Sequence, residues 1–348
     1  MTLETRFERY ELPLAETFEI SRESTDVTET VVVRISDGTD EGIGAAAPSS
    51  YYGETADTVR AVLPELLSVV ESVDDPFAHQ RIGRRLDDTI GANPAVKSGV
   101  TTALADLAGK RLDVPLYRQW GLDPEAVPPT SYSIGIAAPE TMADRARERI
   151  DAGFDVLKLK IGTEPKIDRK RVTAVREAAP EARIRVDANG GYNPRTAIAA
   201  SEWLAALNVE FLEQPVPGDD LAGLKQVHEH GEVPVAADES CVTAGDVPIV
   251  ADRCDIVVAK LGKCGGPWAA RRQLETARAH GLETMLGCMV ESNTSIAPAV
   301  HLSPLSDYAD LDGSLLLADD PFEGVPLSDG RADLTALDRP GSGVKEQQ

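Results

Sequence analysis

From about residue 130 the chain repeats one unit: a short apolar run, a stretch of helical periodicity, then the next apolar run. The runs are residues 131–136, 155–161, 183–186, 209–212, 234–237, 256–261, 283–286 and 307–311, at intervals of 22 to 28 residues. Stretches of helical spacing lie between them, among them 141–151, 169–179 and 194–207. Eight strands alternating with helices at this spacing predict a (β/α)8-type barrel. An open doubly wound sheet is the runner-up, but no Gly-x-Gly-x-x-Gly follows an early strand.

The first part of the chain has another grammar. Residues 1 to about 48 read as strands, with Thr30-Val31-Val32-Val33-Arg34-Ile35 turning at Asp37-Gly38 and returning through Glu41-Gly42-Ile43-Gly44-Ala45. Ser21 to Asp26 reads as a polar loop, and a second loop runs from Pro48 to Thr55. Helical periodicity follows over 55–72, 76–88 and 94–111, the last with Asn93 as expected N-cap and Pro94 in the first turn. This is a small α+β domain.

Composition narrows the function. A net charge of −23, from 58 acids against 35 bases, repels nucleic acid and anionic membrane, so neither is expected as a partner. Acidity dispersed along the whole chain is what a protein kept soluble in concentrated salt carries. The four cysteines, Cys241, Cys254, Cys264 and Cys288, show no Cys-x-x-Cys spacing, which argues against zinc and against a disulfide framework. No apolar leader opens the sequence, and a cytoplasmic location is expected.

Lysine is scarce, ten against 25 arginines, yet Lys158, Lys160, Lys260 and Lys263 fall in or just after apolar strands. Strand after strand ends on charge: Lys158-x-Lys160, Asp187-x-Asn189, Glu213-Gln-Pro215, Asp238-Glu239, Lys260-x-x-Lys263 and Asp310-x-Asp312. That end is where barrel enzymes build their sites. On a circle of eight, strands three to five are adjacent, so Asp187, Glu213 and Asp238 meet around one point. Three hard carboxylates without Cys or His suit Mg2+. Strands two and six are opposite, so Lys160 faces Lys260, and strand eight places Asp310 and Asp312 at an anionic pole far from the metal. A substrate carboxylate on Mg2+ makes its α-proton more acidic by stabilising the enediolate. One lysine removes that proton and the other returns one to the opposite face, which inverts the centre. Burial, the metal and neighbouring lysines are expected to keep each lysine partly neutral.

With these motifs nearly the whole chain resembles the enolase superfamily, muconate-lactonising subgroup, itself the known example of a Lys or His base working beside Mg2+. The resemblance implies a (β/α)7β barrel (126–315) behind an α+β capping domain (1–125), with a C-terminal segment (316–348) packing back on the cap. It implies Lys160 and Lys260 as acid/base pair, and Asp187, Glu213 and Asp238 as ligands of one Mg2+ per subunit, with Mn2+ as substitute. Lys158 contacts the substrate carboxylate, and Asn189, Glu239 and Lys263 support the site from behind. The strand-seven stretch Leu286 to Ser292 lacks the histidine base of the mandelate racemase branch. Gly190 stands where many relatives carry a larger polar residue.

Within the subgroup, Asp310-x-Asp312 is similar to the mark of the dipeptide epimerases, whose aspartate pair binds the N-terminal ammonium. By that likeness Ser133, Cys288 and Val290 line the site. Arg22 answers an acidic side chain, as in L-Ala-D/L-Glu epimerases, since a guanidinium fork matches a carboxylate. A small-molecule dipeptide is the expected partner and a homo-oligomer the expected assembly. Muconate or chloromuconate cycloisomerase, o-succinylbenzoate synthase and N-acylamino acid racemase are alternatives on the same scaffold, with substrates that carry no ammonium group.

Overall fold

The computed structural model describes residues 2–347. A three-stranded antiparallel sheet opens the chain: β1 (Glu4–Glu19), β2 (Ser24–Ser36) and β3 (Glu41–Ala46). The first two are longer than their apolar cores, so Ser24 and Thr25, expected in a loop, pair with Glu19 and Phe18 at the far end of β1, and Asp26 lies in β2 with them. Backbone pairing with β1 extends β2 beyond its apolar residues. On this sheet lie α1 (Ala56–Val73), α2 (His79–Thr89) and α3 (Pro94–Leu112). Val31, Val33 and Ile35 pack with Leu63, Leu66, Val100 and Leu104 from these helices. The approach is close. A Cβ on Gly42 would stand 2.1 Å from the Ala103 carbonyl oxygen, and one on Gly44 would stand 2.4 Å from that of Gly99. After α4 (Leu116–Gln119) the chain enters the barrel.

Eight parallel strands follow: β4 (Tyr132–Ile134), β5 (Val156–Lys160), β6 (Arg183–Asp187), β7 (Val209–Glu213), β8 (Val235–Ala237), β9 (Ile256–Lys260), β10 (Glu283–Gly287) and β11 (Tyr308–Asp310). Each pairs with the next in chain order. Ser131 N donates to the Ala309 carbonyl at 3.1 Å and Thr130 bridges Ala309, which brings the two edges together. The helices are α5 (Pro139–Asp151), α6 (Pro165–Ala178), α7 (Pro194–Ala206), α8 (Leu221–His230), α9 (Val247–Val250), α10 (Leu261–Cys264), α11 (Pro267–Ala279) and α12 (Asn293–Leu302). Proline opens α5 and α6 earlier than their apolar spacing suggested, because its fixed φ suits the first turn. The contacts between β4 and β11 nearly close the sheet into a barrel, and the open doubly wound alternative is set aside.

Strand alternation sorts the barrel residues. One parity of each strand packs outward on the helices, as Leu157, Leu159, Ile184, Val186 and Leu212 do. The other fills the interior, where Phe211, Ala236, Ile256, Val258 and Met285 form a separate cluster with Tyr308. Arg185 closes this layer, with its guanidinium carbon 5.4 Å from the Phe211 ring and 5.0 Å from that of Tyr308. Its Nη1 donates to the Ala309 carbonyl at 2.9 Å. Two residues further along these strands, the same inward parity carries the charged set.

The last segment touches the N-terminal unit at several points. Arg34 pairs with Glu346 at 2.6 Å, Tyr10 meets Phe322 edge-on, and Ser342 N donates to the buried Asp106 carboxylate at 2.6 Å. Short pairs β12 (Phe322–Glu323) with β15 (Lys345–Glu346), and β13 (Leu327–Ser328) with β14 (Arg331–Ala332), give it shape. Among the described residues no helix is long and apolar enough to cross a membrane.

Candidate active site

Register sets the charged residues at common levels. Lys160 stands beside Asp187 and Asp187 beside Glu213 across β5, β6 and β7. On the other arc Lys260 stands beside Gly287, and Gly287 beside Asp310. Gly287 leaves the lysine stem its path, since a Cβ there would lie 3.3 Å from Lys260 Cε. A cavity of about 330 Å3 opens over this ring. Lys160, Lys260, Asp238, Asn189, Glu239, Ser133, Cys288, Val290, Asp310 and Asp312 line it from the barrel. The two loops of the N-terminal unit roof it with Phe18, Ile20, Arg22 and Tyr52. Lys158, Asp187, Glu213 and Lys263 lie behind its wall, each almost fully buried.

The carboxylates and ammonium groups are interleaved. Lys160 Nζ is 2.7 Å from Asp187 Oδ2, and Lys260 Nζ is 2.7 Å from Asp238 Oδ2. Lys263 Nζ donates to Asp238 Oδ1 and to the Asp238 and Val258 carbonyls, each at 2.7 Å. Lys158 Nζ lies 2.7 Å from Asp310, 2.8 Å from Glu213 and 3.3 Å from Asp187. Two expectations change here. Asp310 is not far from the proposed metal carboxylates, because one ammonium joins them. Nor are Lys158 and Lys260 pulled toward neutrality. Burial lowers Lys158, but Asp310, Glu213 and Asp187 outweigh it, and Asp238 likewise lifts Lys260 above the usual lysine range. Conversely, burial raises Asp187 and Asp238, while Lys160 and Lys158 on the one, and Lys260 and Lys263 on the other, hold them below the carboxylate range.

Glu213 is the exception. Burial, then Asp187, push its carboxyl up to about 8, and Lys158 offsets this only in part. Neither of its oxygens has a hydrogen-bond partner, so the close Lys158 contact is charge proximity without donor alignment. Asn189 Oδ1 and Glu239 Oε2 are orphaned too. Buried acceptors left unpaired are costly, and oxygen donors gathered this way fit a hard divalent cation. As placed, no three His, Cys, Asp or Glu side chains among the described residues close around one point. Asp187 and Asp238 are turned to their lysines instead. The donor chemistry suits Mg2+, and the side-chain positions are those of the lysine-paired arrangement.

The remaining expected residues are distributed as follows. Asp310 Oδ1 accepts from Ser131 Oγ at 2.6 Å, and Asp312 Oδ2 accepts from Ser133 N at 2.5 Å. Burial raises the Cys288 thiol, and Asp312 and Asp310 add to it. Asn189 N donates to Asp187 Oδ1 at 2.8 Å. Arg22 Nη1 is held by Glu239 Oε1 at 2.6 Å and by the Asn189 carbonyl at 3.0 Å. Sequence reasoning passed over Gln214, whose Oε1 accepts from the Asp238 and Ser240 amides at 3.0 and 3.1 Å. Its φ of +36, like the +43 of Asn189, is unusual backbone beside the site. It also passed over Glu291, fully buried, whose carboxylate accepts from Met289 N at 2.9 Å and shapes the loop carrying Val290. Gln214 lies inside the conspicuous Glu213-Gln-Pro215 stretch and Glu291 in an otherwise uncharged one, and only the loop geometry gives them work.

Two family models match the chain: "Mandelate racemase / muconate lactonizing enzyme, N-terminal domain" over residues 3–121, and "Enolase C-terminal domain-like" over residues 141–347. An L-Ala-D/L-Glu epimerase of Bacteroides thetaiotaomicron is 36% identical over 337 residues, covering 96% of this chain and 86% of that protein. A dipeptide epimerase of Enterococcus faecalis, solved with Mg and the dipeptide L-Leu-L-Tyr, superposes with a TM-score of 0.93 at 31% identity, covering 99% of this chain and all of that one (100%). An N-succinyl Arg/Lys racemase of Bacillus cereus superposes with a TM-score of 0.94 at 28% identity, covering 100% of this chain and 96% of that one. The chain belongs to the mandelate racemase/muconate lactonizing enzyme family of the enolase superfamily.

Proposed function

We propose that this protein is a dipeptide epimerase that inverts the α-carbon of the C-terminal residue by 1,1-proton transfer between two lysines. The observation that carries this reading is one cavity lined both by Lys160 and Lys260, from strands four apart, and by Asp310 and Asp312. A substrate with a free ammonium at one end and a carboxylate at the other matches those two poles. The names of the relatives point the same way.

Asp187, Glu213 and Asp238 would hold Mg2+. When bound, it draws electron density from the substrate carboxylate and makes the adjacent α-proton easier to remove. One lysine, neutral, takes that proton while the other, as ammonium, delivers one to the opposite face, so the protein gains and loses one proton per turnover. The carboxylates that now pair with Lys160 and Lys260 must release them for this to happen. Lys158 supplies the positive charge that lets Asp310, Glu213 and Asp187 stay together. Asp310 and Asp312 receive the substrate ammonium, and Ser131 and Ser133 hold their oxygens.

The second reading is racemisation of an N-succinyl amino acid, favoured by the likeness to the Bacillus cereus enzyme. Incubation in D2O with Mg2+ separates the two. The dipeptide reading expects one deuterium gained at the C-terminal α-carbon of a dipeptide. Turnover of an N-succinyl amino acid with no dipeptide exchanged would overturn it. Lys160→Ala and Lys260→Ala should each abolish exchange from one epimer while retaining residual exchange from the other.

A further inference from the structure

Arg22 sits at the tip between β1 and β2, where a single guanidinium meets three other loops. Its Nη1 donates to Glu239 Oε1, in the loop after β8, and to the Asn189 carbonyl, in the loop after β6. Ser21 Oγ donates to the same carbonyl at 3.2 Å. The guanidinium carbon lies 4.5 Å from the ring centre of Tyr51, in the second roof loop. The Tyr51 hydroxyl in turn rests on Gly218, where a Cβ would come within 2.6 Å of it. Glu239 is buried and flanks the Asp238 carboxylate, so the positive charge of Arg22 is already answered by a carboxylate of this chain. Arg22 lines the cavity, but a receptor for an acidic substrate side chain needs a charge that no carboxylate of the chain already answers.

We propose that Arg22 is a positioning residue, a clasp that draws both roof loops onto the barrel mouth and fixes Glu239 and Asn189, and not the receptor for the substrate's C-terminal side chain. This rests on the dipeptide reading above and deepens it. Side-chain choice then falls to the other roof residues, Phe18, Ile20 and Val27, which line the same cavity.

The test is deuterium exchange on three dipeptides whose C-terminal residue is acidic, apolar or basic, together with thermal midpoints. Arg22→Met should lower kcat for all three by a similar factor, about 10²-fold for a site misplaced by roughly an ångström. It should also weaken Mg2+ binding measured by calorimetry. In the double variant Arg22→Met/Glu239→Gln the midpoint should fall no further than in the worse single variant, because both remove one contact. A loss confined to the acidic dipeptide, or midpoint shifts that simply add, would overturn the clasp. If the wild type exchanges no dipeptide, it is the proposed function that fails, and the midpoint cycle alone then decides the role of Arg22.

Discussion

Asp310 and Asp312 stand two residues apart at one strand end, yet their surroundings drive their protons in opposite directions. Burial raises Asp310, but Lys158 and Lys160 outweigh it and keep the carboxyl ionised. Burial also raises Asp312, and its neighbour Asp310 adds to this, so it is pushed up to about 7. An ammonium ligand is attracted to the ionised form only. KM for a dipeptide with a free N-terminus should therefore fall as pH rises from 6 toward roughly 7.5, and rise again above about 8, where the substrate's own α-ammonium loses its proton. Initial rates across that range check it, with an N-acetylated dipeptide as the control that shows no such trend. The Asp-x-Asp spacing is legible in the chain. The asymmetry within the pair is not, because it depends on Lys158 reaching across from β5.

Among the elements, α3 shows how a helix end can be satisfied from elsewhere. Asn93 looks like its N-cap, but it adopts φ +53 and makes no capping bond. Glu54, in the second roof loop, accepts from Ala95 N at 2.8 Å and Val96 N at 3.2 Å instead. A carboxylate there answers two orphan amides and the positive end of the helix dipole. Glu54→Ala should cost about 1–2 kcal/mol, read from denaturant unfolding, with the midpoint lowered and the slope unchanged. An unchanged midpoint would remove Glu54 from this role. Cap rules work on neighbours in sequence, and a cap arriving from the loop before α1 lies outside them. The strands fared better. Asp187 and Glu213 end their strands one place beyond the expected runs, since the ladder continues until the charge itself faces the interior, while β9 ends on Lys260, one residue short of its expected run.

At the scale of the whole molecule, His301 joins three parts. Its Nδ1 accepts from Tyr117 N at 3.2 Å, and its Nε2 meets the Ser342 carbonyl at 3.1 Å. Buried on α12, it links the helix after the N-terminal unit to the C-terminal segment. Burial lowers its pKa from 6.5 to about 4. The unfolded chain therefore takes up a proton first as pH falls, so this stability is present above 6.5 and is lost on the way down to 4. The loss is about 3 kcal/mol. The thermal midpoint should drop across that interval, and His301→Asn should flatten the dependence. Net charge acts on the same scale. At −23 the molecule repels itself, and salt shortens the range of that repulsion. The midpoint should rise between dilute buffer and molar KCl; a flat response would remove the salt-adapted reading.

The barrel and the residues facing its interior follow from the amino-acid order alone. Strand alternation is local covalent geometry, and the repeat interval leaves room for one helix between strands. Which charges meet is decided only in the folded chain. Lys160 with Asp187, Lys260 with Asp238, Lys158 among three carboxylates and Arg22 on Glu239 all join residues far apart in sequence. Their distances depend on the stagger of neighbouring strands and on how two loops close over the mouth, and neither is written in any single stretch.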